Sequence, residues 1–538
     1  MLNSRVSVPL PKTGVIIRRS GKYQYVFKVL STFRNDKGQP SNTRVSIGRL
    51  DADGTRLIPN NNYYDYYAPV DEPAPYGIEE RDVVSVGAAF IVEHILTELG
   101  LVQFLTDVLG SARAMSVVIA ATYMVCEGNV FEYVSDWCEN SLVGRNPLTP
   151  QKASALFASL TRDERMAFFQ KWVGRHGLSG YLSYDVTSFS SYAEGVRDLE
   201  WGYNRDGDRL PQINLGCYLA QENGLPMFYV TYPGSIVDKT YLPYMLVYNE
   251  ELGINDAITF VMDRGFCSTN NINHMHEESL SYIIGTDTRT KATLAAINEV
   301  RDNLLSLRNL VRDGVYASSV RSRFFGERAT MHIYHSPDLG EQQRRDLLRL
   351  VVNMENELAQ LMVLSDKELT RYSRFLNIEQ APSGLIYSRN YDKIDEASHN
   401  CGIFCILSNT NLSSEKVLEI YRRKDTIEKG FDEIKNHIDM KRLRVHSESA
   451  IEGKLFCAFI ALIAVAIMTN QLHVYNDMSG HRSMSKRKLI AELEKIRICE
   501  TAGTLRLLHP LTKTQRDLLD LFNADLDDMH RYIIRSEE

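Results

Sequence analysis

The sequence predicts an α/β protein built on a mixed sheet with flanking helices, carrying a mixed α+β insertion, with a β-rich module before it and helical regions on its flanks. Three observations carry this. Apolar and polar residues alternate with strand period through 182–186 and 213–219. Residues 257–262 and 402–407 are continuous apolar runs, as in strands buried on both faces. Residues 419–438 repeat their apolar positions at helical spacing, and the strand–helix rhythm breaks between 289 and 400.

Residues 1–76 read as the β module. Val15-Ile16-Ile17 and 23–30 flank the turn signal Ser20-Gly21-Lys22, and 45–50 supplies another strand. Its basic residues (Arg18, Arg19, Lys22, Lys28, Arg34, Lys37, Arg44, Arg49) and the tyrosines of 63–67 are either a DNA-facing surface or an ordinary solvated one. A Pro-containing linker over 69–75 ends it. Residues 77–178 read as a helical domain, a candidate for DNA binding, with Phe90, Ile91, Ile95, Leu96 and Leu99 at helical spacing. Thr149 is positioned to cap a helix that has Pro150 at its first position.

The first part of the core is expected over 179–288. Leu182, Tyr184 and Val186 alternate with Ser183 and Asp185, and Asn223-Gly224 is a hairpin signal between 213–219 and 227–232. Asp185 then lies on the first strand of an antiparallel meander. A helix over 241–252 follows, then the apolar strand that ends at Asp263, a helix over 271–278 and a strand at 282–284. In the insertion, 289–400, Ile297, Val300, Leu304 and Leu307 mark a helix. Residues 315–334 read as strands and 340–375 as one long amphipathic helix. The second part of the core, 401–475, has a strand and then the helix at 419–435; 476–538 reads as helical.

Composition narrows the function classes. With 44% hydrophobic and 24% charged residues the chain has the makings of a large core. A net charge of -7 excludes a generally basic DNA-coating protein but not a DNA enzyme, whose phosphate contacts depend on local patches. The eight cysteines lack a paired zinc-ligand spacing and read as free thiols of a reducing cytoplasm. The N-terminus has no apolar stretch of the secretory kind. The longest apolar run, 455–468, reads as a buried helix too short to span a bilayer, so no membrane partner is expected.

On a helix at about 100° per residue, Tyr421, Lys424, Glu428 and Lys435 share one side of 419–435. Ile420, Ile427, Phe431, Ile434 and Ile438 form the stripe beside them. Such charged stripes are most often solvated faces. The alternative is a carboxylate for a metal set among cations for phosphates, and it needs partner acids elsewhere. Asp185 on one strand and Asp263 at the end of another supply them. Two metals held by three carboxylates on rigid elements carry out in-line phosphoryl transfer, and an RNase H-like sheet is a fold that assembles such a set.

These residues resemble the DDE transposases of bacterial insertion sequences, in the group named after insertion sequence four and its sixteen-thirty-four-like branch. The group's Tyr, Arg or Lys, Glu, Lys spacing matches Tyr421, Lys424, Glu428 and Lys435. Its acidic motifs resemble Tyr184-Asp185-Val186-Thr187-Ser188 and Val261-Met262-Asp263-Arg264-Gly265-Phe266. The resemblance covers about 180–470 and includes a long insertion before the Glu. Lys454 departs from it, standing where the group usually has His.

The resemblance implies that Asp185, Asp263 and Glu428 are catalytic and hold two Mg²⁺ ions, with Mn²⁺ as a substitute. It implies that Tyr421, Lys424 and Lys435 contact DNA near the transposon end. Arg264 is either a phosphate contact or a structural ion pair. Arg442, Arg444 and His446 are either a DNA-backbone patch or a solvated loop. Trp201 and Tyr203 are either core residues or stack on a base. The implied partners are transposon-end and target DNA and a second copy of the chain, in the bacterial cytoplasm. The implied activity is cleavage and strand transfer. Two rivals stay open: a catalytically silent DNA-binding descendant, and an RNase H-fold nuclease that cuts without joining.

Overall fold

The computed structural model describes residues 7–21, 23–35, 37–51, 53–67, 83–141, 147–176, 180–204, 207–254, 258–312, 314–381, 384–477, 483–501 and 504–537. Lys22, the linker expected at 69–75, and Arg205 and Asp206 lie outside them. The chain divides into two compact units, Met1–Arg81 and Asp82–Glu538.

The first unit is a five-stranded antiparallel sheet, in the order Val8–Pro9, Arg56–Pro59, Pro40–Leu50, Tyr23–Arg34, Val15–Ser20. Val8, Val26, Ile47, Leu50, Leu57 and Tyr63 make its core. Several of its cations are spent on its own aromatics. Arg49 lies 4.5 Å from the Tyr23 ring, Arg44 5.3 Å from Phe27, and Lys28 4.8 Å from Tyr67.

The second unit is organised on a nine-stranded sheet. Its strands are β1 (Gly180–Ser190), β2 (Gln212–Ala220), β3 (Pro226–Pro233), β4 (Ile258–Met262), β5 (Ser281–Thr286), β6 (Leu310–Arg312), β7 (Val315–Phe324), β8 (Glu327–His335) and β9 (Ile403–Ser408). They lie in the order β6-β7-β8-β9-β5-β4-β1-β2-β3. β4 pairs in parallel with both β1 and β5, and the other pairs are antiparallel. The expected meander is present as β1-β2-β3, joined between β2 and β3 by a turn in which Gly224 is left-handed and the Asn223 side chain accepts the Leu225 amide. From Leu182 onward β1 is buried on both faces, although its sequence alternates, because helices cover both sides of the sheet.

The next α-helices after β9 are α1 (Ser414–Arg422), α2 (Asp425–Asp432) and α3 (Glu448–Asp477). α3 runs through the core. Gly453 admits the backbone of the helix Pro150–Ser159, since a Cβ there would overlap the Phe157 carbonyl. Phe456 and Phe459 meet Phe168 and Phe169 edge-on at 5.2 Å. The helical domain is thereby packed on the core helix. Thr149 caps as expected, accepting from the Lys152 amide ahead of Pro150.

Some expectations are corrected. The 14-residue apolar run belongs to a 30-residue helix that is long and apolar enough to cross a membrane by length and composition; 83% of its apolar window is buried inside the protein. The insertion expected over 289–400 is not all separate from the sheet. β6, β7 and β8 extend the central sheet beyond β9 by backbone pairing. Residues 337–400 form the remainder, with its own core of Val351, Met354, Leu358, Tyr372, Phe375 and Ile394. The single helix expected over 340–375 is two, Pro337–Leu358 and Asp366–Tyr372, because Ser365 and Glu368 form a capping box that starts a second one. Leu307 is 79% exposed, beyond the end of the helix Lys291–Leu304. The helix expected over 241–252 is two, Asp238–Leu246 and Tyr248–Glu251. Pro243 within the first lacks an N–H, and the Lys239 carbonyl accepts from the Asn271 side chain. The C-terminal region is not purely helical: its hairpin Arg497–Thr501 and Thr504–Leu507 pairs with Val84–Ser85.

Candidate active site

The parallel pairing of β1 and β4 decides how the two aspartates stand. Tyr184 is the partner of Met262, so the next residues along, Asp185 on β1 and Asp263 just past the end of β4, are at matching register. Asp185 is buried, 5% exposed, while Asp263 leaves the strand at its C-terminal end in extended backbone. Open α/β sheets place ligands at such strand ends.

The Glu428 segment is not one continuous helix. Ser413 caps α1 through the Lys416 amide, and α1 ends at Arg422. A tighter turn, with Lys424 N–H on the Tyr421 carbonyl and Ile427 N–H on the Lys424 carbonyl, joins it to α2. Residues Glu433–His437 then form a π-helical turn. The apolar stripe behaves as expected, with Ile420, Ile427, Phe431, Ile434 and Ile438 all buried.

Two of the four residues on the charged stripe, Tyr421 and Lys424, act on the aspartates, and a third, Glu428, is tied to them through Lys424. The Tyr421 hydroxyl donates to Asp263 Oδ1 at 3.2 Å. Burial, and then the Asp263 charge and hydrogen bond, hold that phenol well above its ordinary pKa. Lys424 Nζ donates to Glu428 Oε1 at 2.7 Å, with side-chain exposures of 6% and 58%. Burial works against the ammonium; the Glu428 hydrogen bond and the charges of Asp263, Asp185 and Glu428 overcome it and raise its pKa. Lys424 is therefore a buried cation bonded to Glu428 and held charged by Asp263 and Asp185 as well.

Gly285, at the end of β5, is the residue that sequence reading missed here. A Cβ on it would overlap the Tyr421 hydroxyl and stand 3.0 Å from the Arg264 nitrogen. Its absence lets Tyr421 reach Asp263. The available signal was a glycine inside an apolar strand run, which marks close approach of another chain segment.

The other predicted residues divide. Arg264 is exposed beside the acids. Lys435 is 7% exposed within the π turn, so it is not on the open side of the stripe. Arg442 forms an ion pair with Asp208 and lies 5.7 Å from the Tyr192 ring. That pair holds the Asp208 carboxyl below its usual range. Arg444 is 47% exposed in its side chain and pairs with Asp439 at 3.2 Å. Trp201 and Tyr203 are 66% and 86% exposed, which removes the core-packing reading. Glu433 is off the site, paired with Lys486.

Among the described residues no group of three or more His, Cys, Asp or Glu side chains is arranged to hold a metal ion. The donor chemistry is nevertheless that of a hard divalent cation: carboxylate oxygens only, one on β1 and one just past the end of the paired β4. Mg²⁺ is usually held by one or two carboxylates plus substrate phosphates, not by an all-protein cage. The pair Asp185 and Asp263 fits that pattern. Glu428 is committed to Lys424.

No curated protein matches the chain. Among solved structures it is similar to a piggyBac transposase in a synaptic complex with hairpin DNA, at 10% identity over 76% of this chain and 77% of that one, with a TM-score of 0.34. Residues 182–464, which run from β1 into α3, match the family described as the transposase DDE domain. The match takes in Asp185, Asp263 and Glu428 and more than half of the chain, and the chain therefore belongs to the DDE transposase family.

Proposed function

We propose that the protein is an active DNA transposase of the insertion-sequence-four group, sixteen-thirty-four-like branch, with an RNase H-like core. In this reading it binds the terminal inverted repeats of its element, cleaves to expose 3′-hydroxyls and joins them to target DNA, acting as a homodimer on paired ends. The observation that carries the reading is the register of β1 against β4, which sets Asp185 beside Asp263, with Lys424 coupled to both and to Glu428. The β3-β2-β1-β4-β5 order, antiparallel and then parallel, supports the RNase H-like core.

Asp185, Asp263 and Glu428 would hold divalent cations, Mg²⁺ with Mn²⁺ as a substitute. A cation bound there supplies an activated water or 3′-hydroxyl and a stabilised leaving oxygen. The chain's own groups do the rest. Tyr421 orients Asp263 through its hydroxyl. Lys424 neutralises the acids until Glu428 is released to join them. Exposed Arg264 beside the acids and Arg444 on the following loop offer guanidinium groups to DNA phosphates. Buried Lys435 and ion-paired Arg442 support that surface from inside.

The test is a cleavage and strand-transfer assay on duplex DNA carrying the inverted repeats that flank the gene, with Mg²⁺ and with chelator. Wild type is expected to cleave and join only with the metal. Asp185→Ala and Glu428→Ala are expected to bind the ends but lose more than about a hundredfold in cleavage, beyond the 10–100-fold typical of groups behind the ligands. Cleavage at the wild-type rate by both variants removes the assignment. Cleavage without joining by the wild type points to a nuclease instead.

A further inference from the structure

The segment leaving the Glu428 helix is a short loop, 439–444, with a non-glycine residue in left-handed backbone at each end: Asp439 at φ 59° and Arg444 at φ 54°. Such residues persist where the surroundings hold them. On one side the loop is tied to the end of β1, the Asp185 strand. Ser190 N–H donates to the Lys441 carbonyl at 3.2 Å, and Leu443 N–H donates to the Ser190 carbonyl at 3.1 Å. Its start is tied to the π turn, with Met440 N–H on the Ile434 carbonyl and Ile438 N–H on the Glu433 carbonyl, both at 3.0 Å.

On the other side two side chains hold it, and neither belongs to the acid site. Asn129, 1% exposed, comes from the helical domain and donates its amide to the carbonyls of Asp439 and Arg442. Lys454, 1% exposed on α3, donates to the Leu443 carbonyl at 2.8 Å, to the Asn129 carbonyl at 3.1 Å and to Asn129 Oδ1 at 3.2 Å. Every N–H of the ammonium is used. Burial pushes the Lys454 pKa down to about 7, so the side chain is held there against a desolvation cost. A leucine or methionine would fill an apolar helix face without that cost. The Leu443 carbonyl of the loop and the two oxygens of Asn129 are what the ammonium serves.

We propose that Asn129 and Lys454 are a positioning clamp that fixes the 439–444 loop against the end of β1 and so sets the Glu428 helix in register with the Asp185 strand. The helical domain thereby acts on the geometry of the acid site, whatever else it binds. The catalytic part of this inference rests on reading Asp185, Asp263 and Glu428 as the reacting acids; the structural part does not.

The experiment compares full-length wild type, Lys454→Met, Asn129→Ala and the double variant by amide hydrogen exchange and by DNA cleavage with Mg²⁺, using the flanking repeats as substrate. Exchange at Ser190, Ile438, Met440 and Leu443 is expected to quicken by about tenfold or more, with β4 and β5 unchanged. Cleavage kcat is expected to fall by about tenfold while KM for DNA stays within about threefold, the pattern of a lost transition-state arrangement. The double variant is expected to be no worse than the poorer single one, because the two side chains act as one unit. Asn129→Ser, which buries no charge and leaves Lys454 in place, serves where Lys454→Met does not fold. Unchanged exchange at those four amides overturns the clamp, and so does an equal rise in β4 and β5, which marks general loosening. A wild-type chain that cleaves no DNA overturns the transposase reading instead, and the exchange result then judges the clamp alone.

Discussion

At the scale of single residues, the site depends on one buried cation and one missing Cβ. Lys424 carries the positive charge that three nearby carboxylates require, and it does so from an almost closed position. Tyr421 reaches Asp263 only because Gly285 is a glycine. Gly285→Ala is expected to push Tyr421 aside and to cost about 1–3 kcal/mol, as overpacking does. Tyr421→Phe, which removes the hydrogen bond without the clash, is expected to cost about 1 kcal/mol. Urea denaturation measures both. A Gly285→Ala protein as stable as wild type, with Tyr421 unmoved in its crystal structure, would remove the close-approach argument. Glu428 was legible as a candidate from its stripe, but its partner was not: spacing puts Lys424 beside it without saying that the lysine is buried.

At the scale of elements, the β1–β4 register and the β8–α1 contact set where the acids stand. His332 on β8 illustrates the second. Its Nδ1 lies 2.9 Å from the Ser414 hydroxyl at the start of α1, and burial pushes its pKa down to about 4. In the unfolded chain the ring titrates near its ordinary value of 6.5. Below that pH the unfolded state takes up a proton that the folded state refuses, so stability falls as pH drops from 6.5 through 4. His332→Gln keeps a hydrogen-bonding group and cannot titrate. Its stability is expected to be flatter than wild type over that interval when urea midpoints are compared across pH. An identical pH slope in the two proteins would assign the loss to other groups. The elements themselves were largely legible, since the meander, the apolar strand ending at Asp263 and the cap at Thr149 follow from local chemistry. The break between α1 and α2 was not. The apolar stripe passes through it with little change of period, and the backbone adjusts at Lys424 to bring that side chain inward.

At the scale of the molecule, the chain is a β module and a larger unit whose cores are separate clusters. A protein beginning at Asp82 is therefore expected to melt cooperatively within about 4 °C of the corresponding transition in the full chain, as calorimetry would show. A collapse of that transition would mean that the larger unit depends on the first. By itself the sequence determined most strands and helices of the core, the order of the three acids along the chain and the family motifs, because these rest on period, capping and spacing over a few residues. It also marked Lys454 as unusual without saying what the lysine holds. Only the tertiary structure decided that β6, β7 and β8 continue the central sheet, that the C-terminal hairpin returns to Val84–Ser85, and that Asn129 meets Lys454 across 325 positions of chain. Such pairings are made by backbone and side-chain groups that many segments present alike. Which segment receives them is settled by what the rest of the chain has already buried.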